Sequence, residues 1–260
     1  MAPSESFETV AGCRTRVRRK GKGPTLLFLH GGNGASLWLP FMEKLSERFD
    51  VIVPEHPGYG QSDTPDWLDG VGDLAYFYLD FIEQFRLERV HLVGASIGGW
   101  IAAELAIRDC SRLSTVTLIA SAGIHVKGVA KGDLFMWSPE ETIRNLIHDK
   151  ALAEKMLAIP MDEPAMLTAI KNREATAKLG WQPRFYNPDL PKWLHRINVP
   201  ALLVWGAEDR LIPAAYGPAF KELIPGARLE IFKDCGHLPQ VEKPDLFVST
   251  LTGFTEEMAR

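Results

Sequence analysis

The chain has 260 residues, 46% hydrophobic and 24% charged, which is ample material for one large globular core. Its formal net charge of −4 argues against bulk attraction to nucleic acid or to an acidic membrane. Cys13, Cys110 and Cys235 form no CxxC pattern, no stretch reaches the ~18 apolar residues of a membrane span, and "MAPSESFETV" has no apolar signal region, so a cytoplasmic protein without disulfide framework or metal site is expected.

"SFETV" and "CRTRVR" flank Ala11-Gly12 and predict a hairpin. Arg14, Arg16 and Arg18 alternate within a basic run that continues through Arg19, Lys20 and Lys22, which predicts a solvated edge strand defended by charge. Six short apolar runs follow: "TLLFLH" (25–30), "DVIVPE" (50–55), "VHLVG" (90–94), "STVTLIA" (114–120), "ALLVWG" (201–206) and "ARLEIF" (227–232). Near-continuous apolar strands are buried on both faces, which means a parallel sheet covered by helices. Helical patterns at about 37–48, 72–86, 98–109, 214–223 and 244–258 alternate with them. The expected fold is therefore α/β, a mostly parallel open sheet of about eight strands with helices on both faces.

The alternation stops between Gly123 and Pro191. Ser138-Pro139-Glu140-Glu141 starts a helix whose apolar spacing runs from Ile143 through Met156 and Leu157, and "DEPAMLTAIKNREATAKLGW" predicts a second helix. Residues 1–123 and 192–260 are thus expected to form the core, with 124–191 a helical insertion. Met136, Trp137 and Trp181 in the insertion, and Leu238 outside it, are candidate substrate contacts.

The run "HLVGASIGGW" places Gly94-Ala95-Ser96-Ile97-Gly98 between a strand and a helix. A dinucleotide turn would need glycine where Ser96 stands and an acid at the end of the next strand, which reads "LIASAG". G-x-S-x-G instead fits a strained turn that presents a serine, with glycines giving clearance on either side. Serine needs a base. His237, in the "KDCGHLPQVEKP" loop, is the best placed of seven histidines. Asp209, in "VWGAEDRLIP", is the carboxylate to orient it, with neighbouring Glu208 as alternative. Backbone N–H groups of Ile97 and of "HGGNG" (30–34) can stabilise an oxyanion, each donor typically worth about 2.7–4 kcal/mol in the transition state.

In "HGGNG", "EHPGYGQSD", "GASIGG", "GAEDRLIP" and "CGHLPQVEKP" the chain resembles the α/β-hydrolase superfamily, in its capped serine hydrolase branch. The resemblance implies a helical cap at 124–191. It also implies a nucleophile, acid and base at Ser96, Asp209 and His237, and oxyanion donors at Gly32, ahead of Asn33, and Ile97. Serine at the turn argues against dehalogenases and epoxide hydrolases, which carry aspartate there. Carbon–carbon bond hydrolases of ring-cleavage products carry a loop like "HGGGPG" and usually a tryptophan after the histidine; here the loop is "HGGNGA" and Leu238 follows His237. The expected function is cofactor-free hydrolysis of a small, largely apolar carboxylic ester. Carbon–carbon hydrolysis of a vinylogous diketone, enol-lactone hydrolysis, perhydrolysis and a non-catalytic ligand binder on the same fold are the alternatives.

Overall fold

The structure, a computed structural model, describes residues 2–258. Eight strands form one sheet: β1 (Ser4–Val10), β2 (Cys13–Lys20), β3 (Thr25–Leu29), β4 (Asp50–Pro54), β5 (Val90–Ala95), β6 (Leu113–Ile119), β7 (Ala201–Gly206) and β8 (Arg228–Phe232). Their spatial order is β1-β2-β4-β3-β5-β6-β7-β8. The β1–β2 and β2–β4 pairs are antiparallel and every other pair is parallel.

The apolar runs are continuous because both faces of the sheet are covered. Leu27, Leu29, Leu92, Leu118 and Leu203 point to one face, which packs on α2 (Val71–Gln84) and α3 (Ile97–Arg108). Leu26, Phe28, Val93, Ile119 and Leu202 point to the other, with Phe41 and Met42 of α1 (Pro40–Leu45). Each such side chain contributes on the order of 1.5–3 kcal/mol when fully buried.

The arginine stripe differs from the expected edge strand. β1 lies outside β2, so β2 is an interior strand. Arg16 is buried, with its guanidinium 2.6 Å from Glu5 of β1 and 4.0 Å from Glu55; Arg18 reaches the same Glu5 at 3.2 Å. The carboxylate of the added strand allows the charges to be enclosed.

Between β6 and β7 lie α4 (Pro139–Leu146), α5 (Lys150–Leu157), α6 (Glu163–Gly180), α7 (Leu190–Trp193) and a 3-10 turn at Leu194–Arg196. Ser138 caps α4 reciprocally: Glu141 N–H donates to Ser138 Oγ at 3.1 Å, and Ser138 N–H donates to Glu141 Oε2 at 2.8 Å. The helical spacing predicted across 143–157 is broken at Ile147–Asp149. There the Glu242 carboxylate accepts the N–H groups of His148 (2.8 Å) and Asp149 (3.1 Å), and Asp149 restarts the helix as N-cap. After β7 come α8 (Tyr216–Leu223), α9 (Pro239–Glu242) and α10 (Pro244–Met258); α8 adds Phe220 to the α2–α3 face, and α10 adds Phe247 and Leu251 to the α1 face. No helix among the described residues is long and apolar enough to cross a membrane.

The β5–α3 junction is tightly packed against the end of β3. A Cβ on Gly98 would fall well inside van der Waals contact with the carbonyl oxygens of Leu29 and His30. A methyl group there must push α3 away from the end of β3. Gly98→Ala is expected to destabilise the protein by about 2 kcal/mol and lower its thermal midpoint by about 4–8 °C. An unchanged melting curve by circular dichroism would contradict this packing.

Candidate active site

Ser96 follows the last residue of β5 and precedes the first of α3. Its φ of 56° and ψ of −116° lie in a region that L-residues rarely occupy, at a cost of about 1–3 kcal/mol. The backbone is held there from both sides. Ser96 N–H donates to Ile119 O of β6 at 2.8 Å, and Ser96 O accepts from Ala122 N–H at 3.1 Å and Trp100 N–H at 3.2 Å.

Asp209 and His237 meet at the end of β7. His237 Nδ1 lies 2.7 Å from Asp209 Oδ2, and both residues are buried, at 2% and 5% exposure. The other carboxylate oxygen of Asp209 accepts the N–H groups of Leu211 and Ile212, each at 2.9 Å. A carboxylate accepts, so Nδ1 carries the proton and Nε2 keeps its lone pair. Nε2 is buried and bonds to no protein atom among the described residues.

Glu208, the alternative acid, does different work: its carboxylate accepts Cys235 N–H at 2.8 Å and so supports the histidine loop. Glu242 holds the same loop from the other side by accepting Gly236 N–H at 2.8 Å. The backbone N–H of His237 itself donates to Leu146 O of α4 at 2.8 Å. The imidazole is thus positioned by β7, α9 and the β6–β7 segment together.

A second buried network shapes the loop after β3. His56 N–H donates to His30 Nε2 at 2.9 Å, so His30 carries its proton on Nδ1 and donates to Gly31 O at 2.7 Å. His56 Nε2–H donates to His30 O at 2.9 Å, and Tyr78 O–H closes the chain on His56 Nδ1. Burial lowers the pKa of His30 to about 4 and places that of His56 well below its ordinary value. Both imidazoles are therefore neutral at physiological pH.

The next residues of the loop are tied to α6. Asn172 Nδ2 donates to Asn33 O at 2.9 Å, and Thr176 Oγ1 lies 3.1 Å from Gly32 O. Among the described residues neither the Gly32 nor the Ile97 N–H has an acceptor within the protein, and both residues line a narrow compartment with Ser96. A larger, mainly apolar cavity of about 270 Å³ adjoins it, sharing Gly32 and Ser96, and is lined by Leu39, Met42, Leu134, Met156, Leu238 and Val241 among others.

Of the predicted substrate contacts, Leu238 lines this cavity. Met136 (76% exposed) and Trp181 (54%) face solvent instead, and Trp137 packs over Gly132. Met136 lies in the turn before α4, and Trp181 packs at a tilt against Phe135 with the Arg184 guanidinium over its ring. Sequence reading missed Asn172 and Thr176, whose only signal is that they are small polar residues one helical turn apart.

Residues 26–250 match the α/β hydrolase family profile, and the chain belongs to that family. It is 31% identical over 271 residues to a 2-hydroxy-6-oxononadienedioate/2-hydroxy-6-oxononatrienedioate hydrolase of Paraburkholderia phymatum, covering 94% of this chain and 92% of that one. It is 30% identical over 262 residues to the dihydrolipoyllysine-residue acetyltransferase component of an acetoin cleaving system of Cupriavidus necator, covering 96% of this chain and 68% of that one. Among solved structures, a bacterial membrane phospholipase A superposes with a TM-score of 0.84 at 25% identity, covering 100% of this chain and 87% of that one.

The His30 network makes stability depend on pH with a definite sign. Above pH 6.5 His30 is neutral whether the chain is folded or unfolded. Below it the unfolded chain takes up a proton that the folded chain refuses until about pH 4. Its contribution is therefore complete above pH 6.5 and is lost as pH falls toward 4, on the order of 3 kcal/mol. Proton NMR at pH 5 is expected to show His30 and His56 still neutral; titration of both near pH 6.5 would contradict the network.

Proposed function

We propose that the protein is a serine hydrolase that cleaves small carboxylic esters. The observation that carries this reading is the buried Asp209–His237 pair, with a lone pair at Nε2, at the same end of the parallel strands as a serine at a strained turn with unpartnered N–H groups of Gly32 and Ile97 near it. Ser96 Oγ attacks the ester carbonyl while His237 Nε2 takes its proton. Asp209 stays ionised, fixes the tautomer and stabilises the imidazolium. The N–H groups of Gly32 and Ile97 donate hydrogen bonds to the carbonyl oxygen as it gains negative charge. His237 then protonates the leaving alcohol, and water, activated by the same imidazole, releases the acid.

In this reading residues 124–191 act as a cap. Leu134, Leu146 and Met156 supply an apolar wall of the larger cavity, which suits a modest-sized apolar group. Ser96 and His237 are not hydrogen-bonded to each other in the free enzyme; such contacts often tighten only when substrate is bound. The substrate is a small molecule and the chemistry needs no cofactor.

One observation favours a second reading. The relative from Paraburkholderia phymatum is named for a 2-hydroxy-6-oxo-dienedioate substrate, a vinylogous diketone skeleton whose hydrolysis would break a carbon–carbon bond. The "HGGNGA" loop and Leu238 depart from the pattern of such enzymes, so ester hydrolysis is preferred.

Purified protein is expected to hydrolyse short p-nitrophenyl esters faster than ring-cleavage diketones. Ser96→Ala should remove that activity. Asp209→Asn should lower kcat by roughly 10⁴-fold through the wrong imidazole tautomer. Equal turnover by wild type and Ser96→Ala would overturn the mechanism. Turnover of the diketone alone would transfer the same residues to carbon–carbon hydrolysis.

A further inference from the structure

The narrow compartment beside Ser96, about 20 Å³, has room for a carbonyl oxygen or one water. The body of a substrate therefore lies in the adjoining cavity of about 270 Å³. Among the described residues its lining carries no lysine, arginine, aspartate or glutamate. Of its polar side chains, Asn33 is exposed and Ser36 half-buried, so water can serve both. His30 is buried with both ring nitrogens engaged, Nδ1 by Gly31 O and Nε2 by His56 N–H.

Gln240 of α9 differs from all of these. It lines the cavity at 5% exposure, and its Oε1 is buried with no donor from the protein among the described residues. A buried amide oxygen without a donor is costly, and an apolar side chain of the same length would fill the place without that cost. No donor pins Oε1, and the terminal torsion of glutamine is broad, so the amide can turn to a group held in the cavity. The position of Gln240 also says which part of the substrate it meets. His237 protonates the leaving oxygen, and Leu238, Gln240 and Val241, which follow it in the chain, line the cavity. The alcohol portion of an ester therefore lies along them.

Resting on the ester reading above, we propose that Gln240 accepts a hydrogen bond from a second hydroxyl group on the alcohol portion of the substrate. The substrates are then uncharged monoesters of otherwise apolar diols. A ketone or ether oxygen in the same place can only accept and leaves Oε1 unpaired. A carboxylate would enter a cavity whose lining holds no cation to meet it.

The test uses the monoacetates of linear diols from 1,4-butanediol to 1,8-octanediol, each against the alkyl acetate that carries methyl in place of the distal hydroxyl. A hydroxyl without a partner is disfavoured against methyl in an apolar cavity. Wild type is nevertheless expected to favour the hydroxy ester in kcat/KM at one chain length or more. Gln240→Met and Gln240→Leu, each checked for folding by circular dichroism, should lower that hydroxyl-to-methyl ratio by roughly tenfold or more. A glutamine that only packs α9 would change both esters alike and leave the ratio where it was. A wild type that favours the alkyl ester at every length, or a smaller change of ratio in a folded variant, overturns the proposal. If neither variant folds, the wild-type preference alone decides. If wild type hydrolyses neither series, the ester reading has failed, and Gln240 is then judged by NMR titration of wild type with the free diols and the matching alkanols. Tighter binding of a diol than of its alkanol supports the hydroxyl site; the reverse order at every length, or no binding, overturns it.

Discussion

The close approach of Gly98 to the end of β3 is the constraint on which the site depends. It brings the first turn of α3 against the carbonyl groups of Leu29 and His30. The chain leaving β3 then passes directly beside the Ser96 turn. As a result, the N–H groups of Gly32 and Ile97 reach one compartment although they belong to different elements. Their spacing is set by backbone packing and not by side-chain rotamers. The cost is a strained Ser96, held by hydrogen bonds to the end of β6.

The β6–β7 segment is joined to both halves of the site. Asn172 and Thr176 of α6 hold the loop after β3, while Leu146 of α4 accepts the backbone N–H of His237. Glu242 completes the second connection by binding Gly236 on one oxygen and the α4–α5 turn on the other. Displacement of this segment would therefore disturb both the loop that carries the Gly32 N–H and the imidazole, a coupling carried by named hydrogen bonds. Four buried or half-buried groups with no catalytic contact of their own, Glu208, Glu242, His30 and His56, serve to place backbone atoms.

Much of the frame was legible because local chemistry and global position agree. Strands covered on both faces need unbroken apolar residues, and a serine at a positive-φ turn needs small neighbours. Ser96, Asp209 and His237 each follow an apolar strand, which made their shared end of the sheet readable. The structure departs from sequence expectation where a partner far along the chain decides. Arg16 is interior because β1 wraps outside it and brings Glu5. The break at Ile147–Asp149 depends on a carboxylate about ninety residues away. Met136 and Trp181 are apolar yet exposed, and nothing in their spacing distinguishes them from pocket residues.

The central claim is that Ser96 becomes covalently acylated and that the acyl group leaves by hydrolysis. Mass spectrometry of enzyme quenched in acid during turnover of a short p-nitrophenyl ester tests this directly. The account predicts a mass increase of one acyl group, located on the peptide containing Ser96 and absent after substrate is exhausted. Continued turnover with no adduct under conditions where deacylation is rate-limiting, or an adduct on any other residue, would contradict it.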